Sequence, residues 1–542
     1  MPVSTKLDCV IVGYNEIDFK RVLKAQESAE KYSGGYRNLK ANSLIYNGER
    51  INYTMLLNKL IGEATRRDVD LNVFRLPNLA VCYLKNYLSR YHFNVEIVNF
   101  FNSEKERFAQ LLDHSPNAVA ITTTYYVDYE PVKEIVEFIK SKNQQTKIIV
   151  GGPHIFNICT EYDITTQDYL FEEIGADIYV FDAQGEQTLG RVLEQLRESG
   201  RADPSRVPNL IYTDSGPEFR RTERVIENND MDENIIDWSR FDPDFITPTV
   251  SMRTARSCAY KCSFCSFPLM AGPLNLTRLE MIETEMAHLK EAGVMNLIFI
   301  DDTFNVPLPR FKDICRMMIK KRFGFNWYSM FRCSNSDEES FDLMQESGCK
   351  GVFLGIESGS QAMLDKMNKV VKVEKYFRGI EQLKQRGITT LASFIVGFPG
   401  ETSHTVNETI SFIEQTAPTF YRAQLYYHDV KVPVHKQAKD YGLTGAGYSW
   451  THDSMSWQEA CDWVETIYKS IKSSTIFPVF GFDLESIAYL VGEGISLDEI
   501  KRFAELAQDM LLRSLDHSQG DFGIQERELK SLFQSHAFQS GG

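Results

Sequence analysis

Along the first third of the chain, short apolar runs alternate with segments whose apolar residues recur every three or four positions. Leu7–Gly13, Phe93–Val98, Ala118–Thr122, Lys147–Val150 and Ile178–Phe181 read as strands, while Asn78–Arg90 and Pro131–Ser141 have helical spacing. A polar insertion falls at about residues 28–55. Strand, helix, strand repeated in this way predicts a parallel sheet covered on both faces. Such sheets bind ligands beyond the carboxyl ends of their strands. From about 245 to 430 the pattern becomes a second α/β unit. Glu280–Gly293 is amphipathic through Met281, Ile282, Met286 and Leu289, and Leu297–Asp302, Trp327–Arg332, Gly351–Ser360 and Thr390–Thr402 read as strands. Polar residues and glycines gather at the ends of these strands, as where a (β/α) barrel builds its site. The rest differs: aromatic and polar stretches (Gln424–Val430, Tyr448–Trp457) precede helical spacing in Trp457–Ser473 and Leu497–Arg513, predicting a helical cap over the barrel's open side. The Gln539–Gly542 end is expected to be partly disordered.

Composition narrows the picture. A chain of 542 residues is too long for one core. No run of about 18 apolar residues appears, so no spanning helix is expected, and the N-terminus lacks a signal-peptide pattern. Ten cysteines, three tightly clustered, suggest a reducing cytoplasm; the other seven are scattered and read as buried thiols. A net charge of −15 argues against a nucleic-acid partner, whose phosphates demand a basic face. A small anion held by a few arginines stays possible.

The clustered cysteines carry the sharpest chemistry. Cys258, Cys262 and Cys265 lie in Arg256-Ser-Cys-Ala-Tyr-Lys-Cys-Ser-Phe-Cys-Ser-Phe-Pro268, a Cys-x3-Cys-x2-Cys triplet with an aromatic residue before the last thiol. A structural zinc site needs four closed ligands, and no fourth Cys or His follows at suitable spacing. Three thiolates can hold three irons of a 4Fe-4S cubane and leave the fourth open. The arrangement resembles the radical SAM superfamily, in which S-adenosylmethionine (SAM) chelates that open iron. The resemblance implies a partial (β/α)6 barrel over 246–430. It also implies SAM contacts from Phe264, from Asp301 or Asp302, from Glu357 and Ser358, and from Ile395 and Gly397. Arg332 would hold the SAM carboxylate or a substrate anion, unless it is a barrel-mouth arginine satisfied by a carboxylate. Asp302 as a helix cap and Glu357 as a surface carboxylate are the plainer alternatives.

Upstream, Gly151-Gly152-Pro153 follows one strand and Gly185-Glu186 another, with Thr188 and Leu189 opening a helix. In this order, ahead of the cysteine triplet, they resemble the Rossmann-like cobalamin-binding domain of many radical SAM proteins. The implied domain covers 1–215, followed by a linker at 216–245 and, after the barrel, a mostly helical domain at 431–542. Thr122, Thr123, Thr124 and Tyr125 would contribute to the lower-face loop. The Asp-x-His-x-x-Gly motif that supplies a cobalt-ligating histidine elsewhere is absent, so the lower face is expected to be vacant, water-bound or lined by another side chain. Tyr427, His428, Trp450 and His452 are candidates for substrate contact, set against ordinary packing.

Nearly the whole chain resembles cobalamin-dependent (class B) radical SAM methyltransferases, and its motif wording looks like the PhpK-type P-methyltransferases. The implied activity is methyl transfer from SAM through methylcobalamin to an unactivated carbon or a phosphinate phosphorus of a natural-product or other small-molecule intermediate. The implied partners are a small-molecule or peptide substrate and an external electron donor such as flavodoxin or ferredoxin, with no nucleic acid and no membrane. Two alternatives remain: ring closure or rearrangement without methylation, and a non-catalytic cobalamin sensor or electron-transfer protein. Methylthio transfer to RNA is disfavoured by the acidic charge.

Overall fold

The computed structural model describes residues 6–30, 33–213, 218–480, 482–516 and 523–534. They form two units, one of residues 1–17 and 74–246, the other of residues 18–73 and 247–542.

The first unit is built on a seven-stranded sheet. Its strands are β1 (Cys9–Tyr14), β2 (Val95–Phe100), β3 (Ala118–Thr122), β4 (Lys147–Gly151), β5 (Ile178–Val180), β6 (Leu210–Tyr212) and β7 (Arg220–Arg221), in the order β2-β1-β3-β4-β5-β6-β7. The first five strands in that order run parallel, and β6 and β7 are antiparallel additions. The continuous apolar runs follow from burial on both faces. Val10, Val12, Val119, Ile121, Ile148 and Val150 sit in one core with Val132, Ile135, Val136 and Ile139 of the helix Glu130–Lys142. This is the expected doubly covered sheet.

The second unit contains a parallel sheet in sequence order: β8 (Thr249–Met252), β9 (Asn296–Phe299), β10 (Asn326–Met330), β11 (Cys349–Glu357), β12 (Thr389–Val396), β13 (Phe420–Leu425) and β14 (Thr475–Ile476). Six strands match the expected partial barrel. The seventh, β14, comes from the segment read as helical cap and pairs with Phe420 and Tyr421. That segment also holds a small antiparallel sheet of Thr444–Ala446, Ser449–His452 and Met455–Ser456. Helix α1 (Leu484–Gly492) packs along β8 to β11 rather than over an outer edge. Its Ala488 carbonyl accepts from Thr249 Oγ1 at 3.0 Å.

One boundary differs from the sequence reading. Residues 18–73, placed in the N-terminal domain by continuity, pack with the second unit. The supposed polar insertion includes the helix Gly34–Ala41 and the strand Leu44–Tyr46, and it leads into the helix Tyr53–Thr65. Arg37 bridges Asp462 (2.7 Å) and Glu465 (2.9 Å), and Ser514 Oγ receives the Ile45 N–H. These partners lie more than 400 positions away, so local pattern could not reveal them. The Gln539–Gly542 end lies outside the described residues. Among the described residues no helix is long and apolar enough to cross a membrane.

Candidate functional site

In the second unit the cysteine loop leaves β8 and is fastened from three directions. Asn275–Leu276 pairs with Ala255–Arg256 and clasps its base. Ser263 N and Oγ donate to Met367 O and Lys366 O, both at 2.9 Å, and Asn368 Nδ2 donates to Lys261 O at 2.7 Å. Val434 N donates to Ser263 O at 2.9 Å, and Ser266 Oγ to Asp429 at 3.1 Å. Cys258, Cys262 and Cys265 are half-buried free thiols on this braced loop.

Burial pushes the Cys262 thiol up, while Lys369 and Arg332 pull it down; Cys265 is pushed up to about 11, chiefly by burial. Metal ligation requires thiolates, so the two cations offset part of what burial opposes. Among the described residues no three His, Cys, Asp or Glu side chains converge on a single-ion site. A cubane's irons occupy separate corners, so its thiolates stand wider apart than the ligands of one ion. Three free thiols within eight positions of one another are a donor set that suits three corners of a 4Fe-4S cluster.

Lys369, which the sequence reading missed, is buried beside this loop. Its ammonium donates to Gly355 O at 2.9 Å, lies 3.4 Å from Glu357 Oε1, and stands 5.5 Å from the Phe264 ring. Glu357 sits at the end of β11 with φ of 69°, a left-handed conformation uncommon for a side-chain-bearing residue. Arg332 stacks on Tyr260 of the cysteine loop at 3.6 Å, and its buried Nη2 has no partner. Phe264, Glu357, Arg332 and the cysteines are thus brought together.

Other candidates are engaged elsewhere. Asp301 is fully buried and accepts from Thr254 N (2.6 Å), Thr254 Oγ1 (2.5 Å) and Ala255 N (3.0 Å), so it anchors the strand leading into the cysteine loop. Asp302 is the less committed of the pair, raised to about 6 by burial and by Asp301. Ser358 is buried in a turn, 3.2 Å from Thr409 Oγ1 and accepting from Ser360 N at 3.1 Å. Ile395 is half-buried on β12. Gly397 has φ of 92°, and a Cβ there would come within 2.4 Å of the Trp450 ring. Of the four substrate candidates, Trp450, His428 and His452 are buried. Trp450 Nε1 donates to Tyr426 O at 2.8 Å, and His452 stacks on Trp450 with Nε2 3.2 Å from Gly397 O. His428 Nδ1 lies 2.9 Å from Gly445 O and Nε2 lies 3.1 Å from His435 Nδ1. These contacts engage polar atoms of three of the candidates, while Tyr427 is 56% exposed and lies edge-on to Tyr448, ring centroids 5.0 Å apart.

In the first unit the candidate cobalamin residues gather at the carboxyl ends of β3 to β5. Gly152, with φ of 107°, precedes the helix Pro153–Glu161, and a Cβ on it would lie 3.0 Å from Thr123 N and Oγ1. Thr123 N and Oγ1 donate to Gly151 O at 2.8 and 2.9 Å, so Thr123 braces the glycine pair. Thr122 and Thr124 hydroxyls lie 3.2 Å apart, and Tyr125 is 55% exposed with φ of 71°. A side-chain-free backbone at a strand end fits the close approach of a large flat cofactor. Gly185 and Glu186 begin the helix Glu186–Ser199, but its first free N–H groups are already taken. Glu227 accepts from Gln187 N (3.0 Å), Thr188 N (2.7 Å) and Thr188 Oγ1 (2.6 Å). Glu186 in turn accepts from Asn229 Nδ2 at 2.8 Å. Glu227 thus takes the Gln187 and Thr188 N–H groups at the start of this helix, which opens at Glu186 rather than at Thr188.

Comparison with known proteins agrees with this division. The family model for the Radical SAM superfamily matches residues 252–413, and that for the B12 binding domain matches residues 72–193. The chain thus joins a B12-binding domain to a radical SAM domain, and its cofactors are a 4Fe-4S cluster, SAM and cobalamin. An uncharacterised methyltransferase of Pyrococcus horikoshii is 26% identical over 351 residues, 62% of this chain and 73% of that protein. The anaerobic magnesium-protoporphyrin IX monomethyl ester cyclase of Rubrivivax gelatinosus is 25% identical over 369 residues, 65% of this chain and 64% of the cyclase. In fold, the chain is similar to the radical SAM methyltransferase TsrM of Kitasatospora setae, solved with cobalamin and a 4Fe-4S cluster. The TM-score is 0.59 at 17% identity, over 82% of this chain and 97% of that one. The relatives named as methyltransferases support a methyltransferase enzyme.

Proposed function

We propose that this protein transfers a methyl group from SAM, by way of cobalamin, to an unactivated carbon or a phosphinate phosphorus of a small-molecule intermediate. The observation that carries this reading is the braced three-cysteine loop beside Glu357, Lys369 and Arg332, in a chain that also has a B12-binding domain. When bound, the cluster with SAM supplies an organic radical able to abstract hydrogen, and cobalamin supplies a transferable methyl group. Cys258, Cys262 and Cys265 hold the cluster, and Lys369 and Arg332 offset its negative charge. Glu357 offers a carboxylate to the ribose hydroxyls, and Asp302 stands ready for an ammonium group. Gly151 and Gly152 let backbone approach the corrin closely. Phosphinate stands among the acceptors because the motif wording around Cys258–Pro268, Phe299–Pro307 and Gly355–Gly359 resembles the PhpK-type group. An external one-electron donor such as flavodoxin or ferredoxin completes the system in the cytoplasm.

The likeness to the Rubrivivax cyclase favours one second reading, ring closure or rearrangement with the same cofactors. The test is anaerobic: reconstituted protein, reductant, SAM with a deuterated methyl group, and a panel of phosphinates, amino acids and peptides. Labelled product together with 5′-deoxyadenosine is the expected result. Deoxyadenosine with an unlabelled, mass-shifted product would transfer the assignment to the second reading.

A further inference from the structure

The barrel interior holds a charge that none of the residues above uses. Along β13, Tyr421, Ala423 and Leu425 are buried, while Arg422 and Gln424 alternate with them and keep accessible surface. The register sets Arg422 beside Ser393 and Gln424 beside Ile395. Phe353 and Gly355 pair with Leu391 and Ser393 on the same face, and the Arg422 guanidinium lies 4.7 Å over the Phe353 ring. Arg422 therefore points into the barrel, about 7 Å deeper along the strand than the layer of Ile395 and Gln424.

The floor beneath it is α1. Leu484 packs toward Gly351, whose added Cβ would lie 3.4 Å from Leu484 Cδ1. Asp483, just before α1, receives the Glu485 and Ser486 N–H groups at 3.0 and 3.2 Å. Arg422 is enclosed by protein yet retains accessible surface, and so is Glu485 at the start of α1. Both side chains therefore keep some surface that a water molecule reaches. Among the described residues no hydrogen bond or ion pair reaches Arg422, and its Nε is buried without a partner. Asp483 and Glu357 act on it only through their fields. Its Nε thus lacks the partner that a buried donor ordinarily has, and an anion meeting the guanidinium would supply one.

We propose that Arg422, with Gln424 in the layer above, anchors the oxyanion of the methyl acceptor, a carboxylate or an H-phosphinate. Both anions offer two coplanar or near-coplanar oxygens to the guanidinium fork. The remainder of the acceptor then extends along the barrel axis toward the Ile395 and Glu357 layer. This assignment rests on the methyl-transfer reading of the site.

The test uses reconstituted, unreduced holoenzyme and titrates N-acetylalanine, its neutral amide and methylphosphinate, followed by saturation-transfer NMR. The native protein is expected to bind both anions and not the amide. Arg422→Met should weaken both anions at least about tenfold, and Arg422→Lys should retain part of the affinity. The tighter of the two anions tells a carboxylate acceptor from a phosphinate one. If Arg422→Met does not fold, Gln424→Leu carries the test, with a loss of about threefold or more expected for both anions. No anion binding by the native protein up to about 50 mM, equal binding of the amide, or unchanged affinity in the variants overturns the proposal. Anions that bind through Arg422 but never gain a labelled methyl group refute the methyl-transfer reading and leave the anchor standing. Labelled product formed equally well by Arg422→Met does the reverse.

Discussion

Glu401→Gln is the most direct test of the turn that closes the barrel mouth behind Gly397. The Glu401 carboxyl is fully buried and receives the Gly397 N–H at 2.5 Å, with Phe398 N–H as a second donor. Burial pushes it up from 4.5 to about 8, and the two donors only partly counter this. Its sign is set by which state holds the proton. Between these values the folded chain keeps the proton and the unfolded chain has lost it, so stability falls as pH rises and levels off above the folded value. Each pH unit inside the window costs about 1.4 kcal/mol. From pH 5.5 to 7.5 the native protein should therefore lose about 3 kcal/mol that a non-titrating side chain would not lose. Gln keeps the shape and the carbonyl acceptor but cannot ionise. Urea unfolding of the cofactor-free chain, followed by tryptophan fluorescence, to which four of the five tryptophans (Trp327, Trp450, Trp457 and Trp463) contribute from the same unit, should show the native midpoint dropping with pH relative to Glu401→Gln. At pH 7.5 the variant should be the more stable by about 3–4 kcal/mol. Parallel pH profiles for the two proteins would refute the assignment of a protonated buried carboxyl.

Three further outcomes are expected. Cys262→Ala should lose most of its iron on reconstitution and form no 5′-deoxyadenosine; retained SAM cleavage would sink the cluster assignment. Lys369→Met removes the charge that lowers the Cys262 thiol, so alkylation of Cys262 by iodoacetamide in the iron-free protein should slow, tenfold for each pKa unit gained. Its SAM affinity should drop about tenfold with iron content kept, and an unchanged alkylation rate would show that the charge does not reach the thiol. Gly152→Ala combines a strained φ with a Cβ 3.0 Å from Thr123. It should destabilise the first unit by about 1–3 kcal/mol and reduce cobalamin uptake, read from the absorbance of protein-bound corrin.

What the sequence revealed and what it hid divide by range. The strands of both sheets were legible because apolar runs bounded by glycine and polar residues reflect burial on two faces, a local property. The cysteine loop was legible because its ligands lie within eight positions of one another. Lys369 was missed because it follows Glu357 by twelve positions, in a polar segment without a pattern of its own. Glu227 was missed for the same reason, since it caps a helix forty residues upstream. The aromatic segment before the C-terminal helices shows the same limit for residue type. His428, Trp450 and His452 have the chemistry of a binding site, but their polar atoms are spent on Gly445, His435, Tyr426 and Gly397. Residue type alone cannot separate a histidine that meets a substrate from one that satisfies a carbonyl.

Asp301 and Asp302 show how burial separates two adjacent identical side chains. From sequence they were equivalent, both at the end of one strand and both able to face an ammonium group. Both lie just past the end of β9 (Asn296–Phe299), in the turn that follows it. Asp301 goes inward, where Thr254 and Ala255 supply three donors and fix the start of the cysteine loop. That saturation keeps a buried charge tolerable. Asp302 turns toward the loop side, where the field of Cys265 reaches it, and it makes no comparable set of bonds. Burial and the neighbouring Asp301 hold it near 6. An ammonium group brought beside Asp302 favours its carboxylate and removes that penalty, whereas Asp301 has already committed its oxygens. The two carboxylates thus differ in commitment: Asp301 fixes the start of the loop, and Asp302 makes no comparable set of bonds.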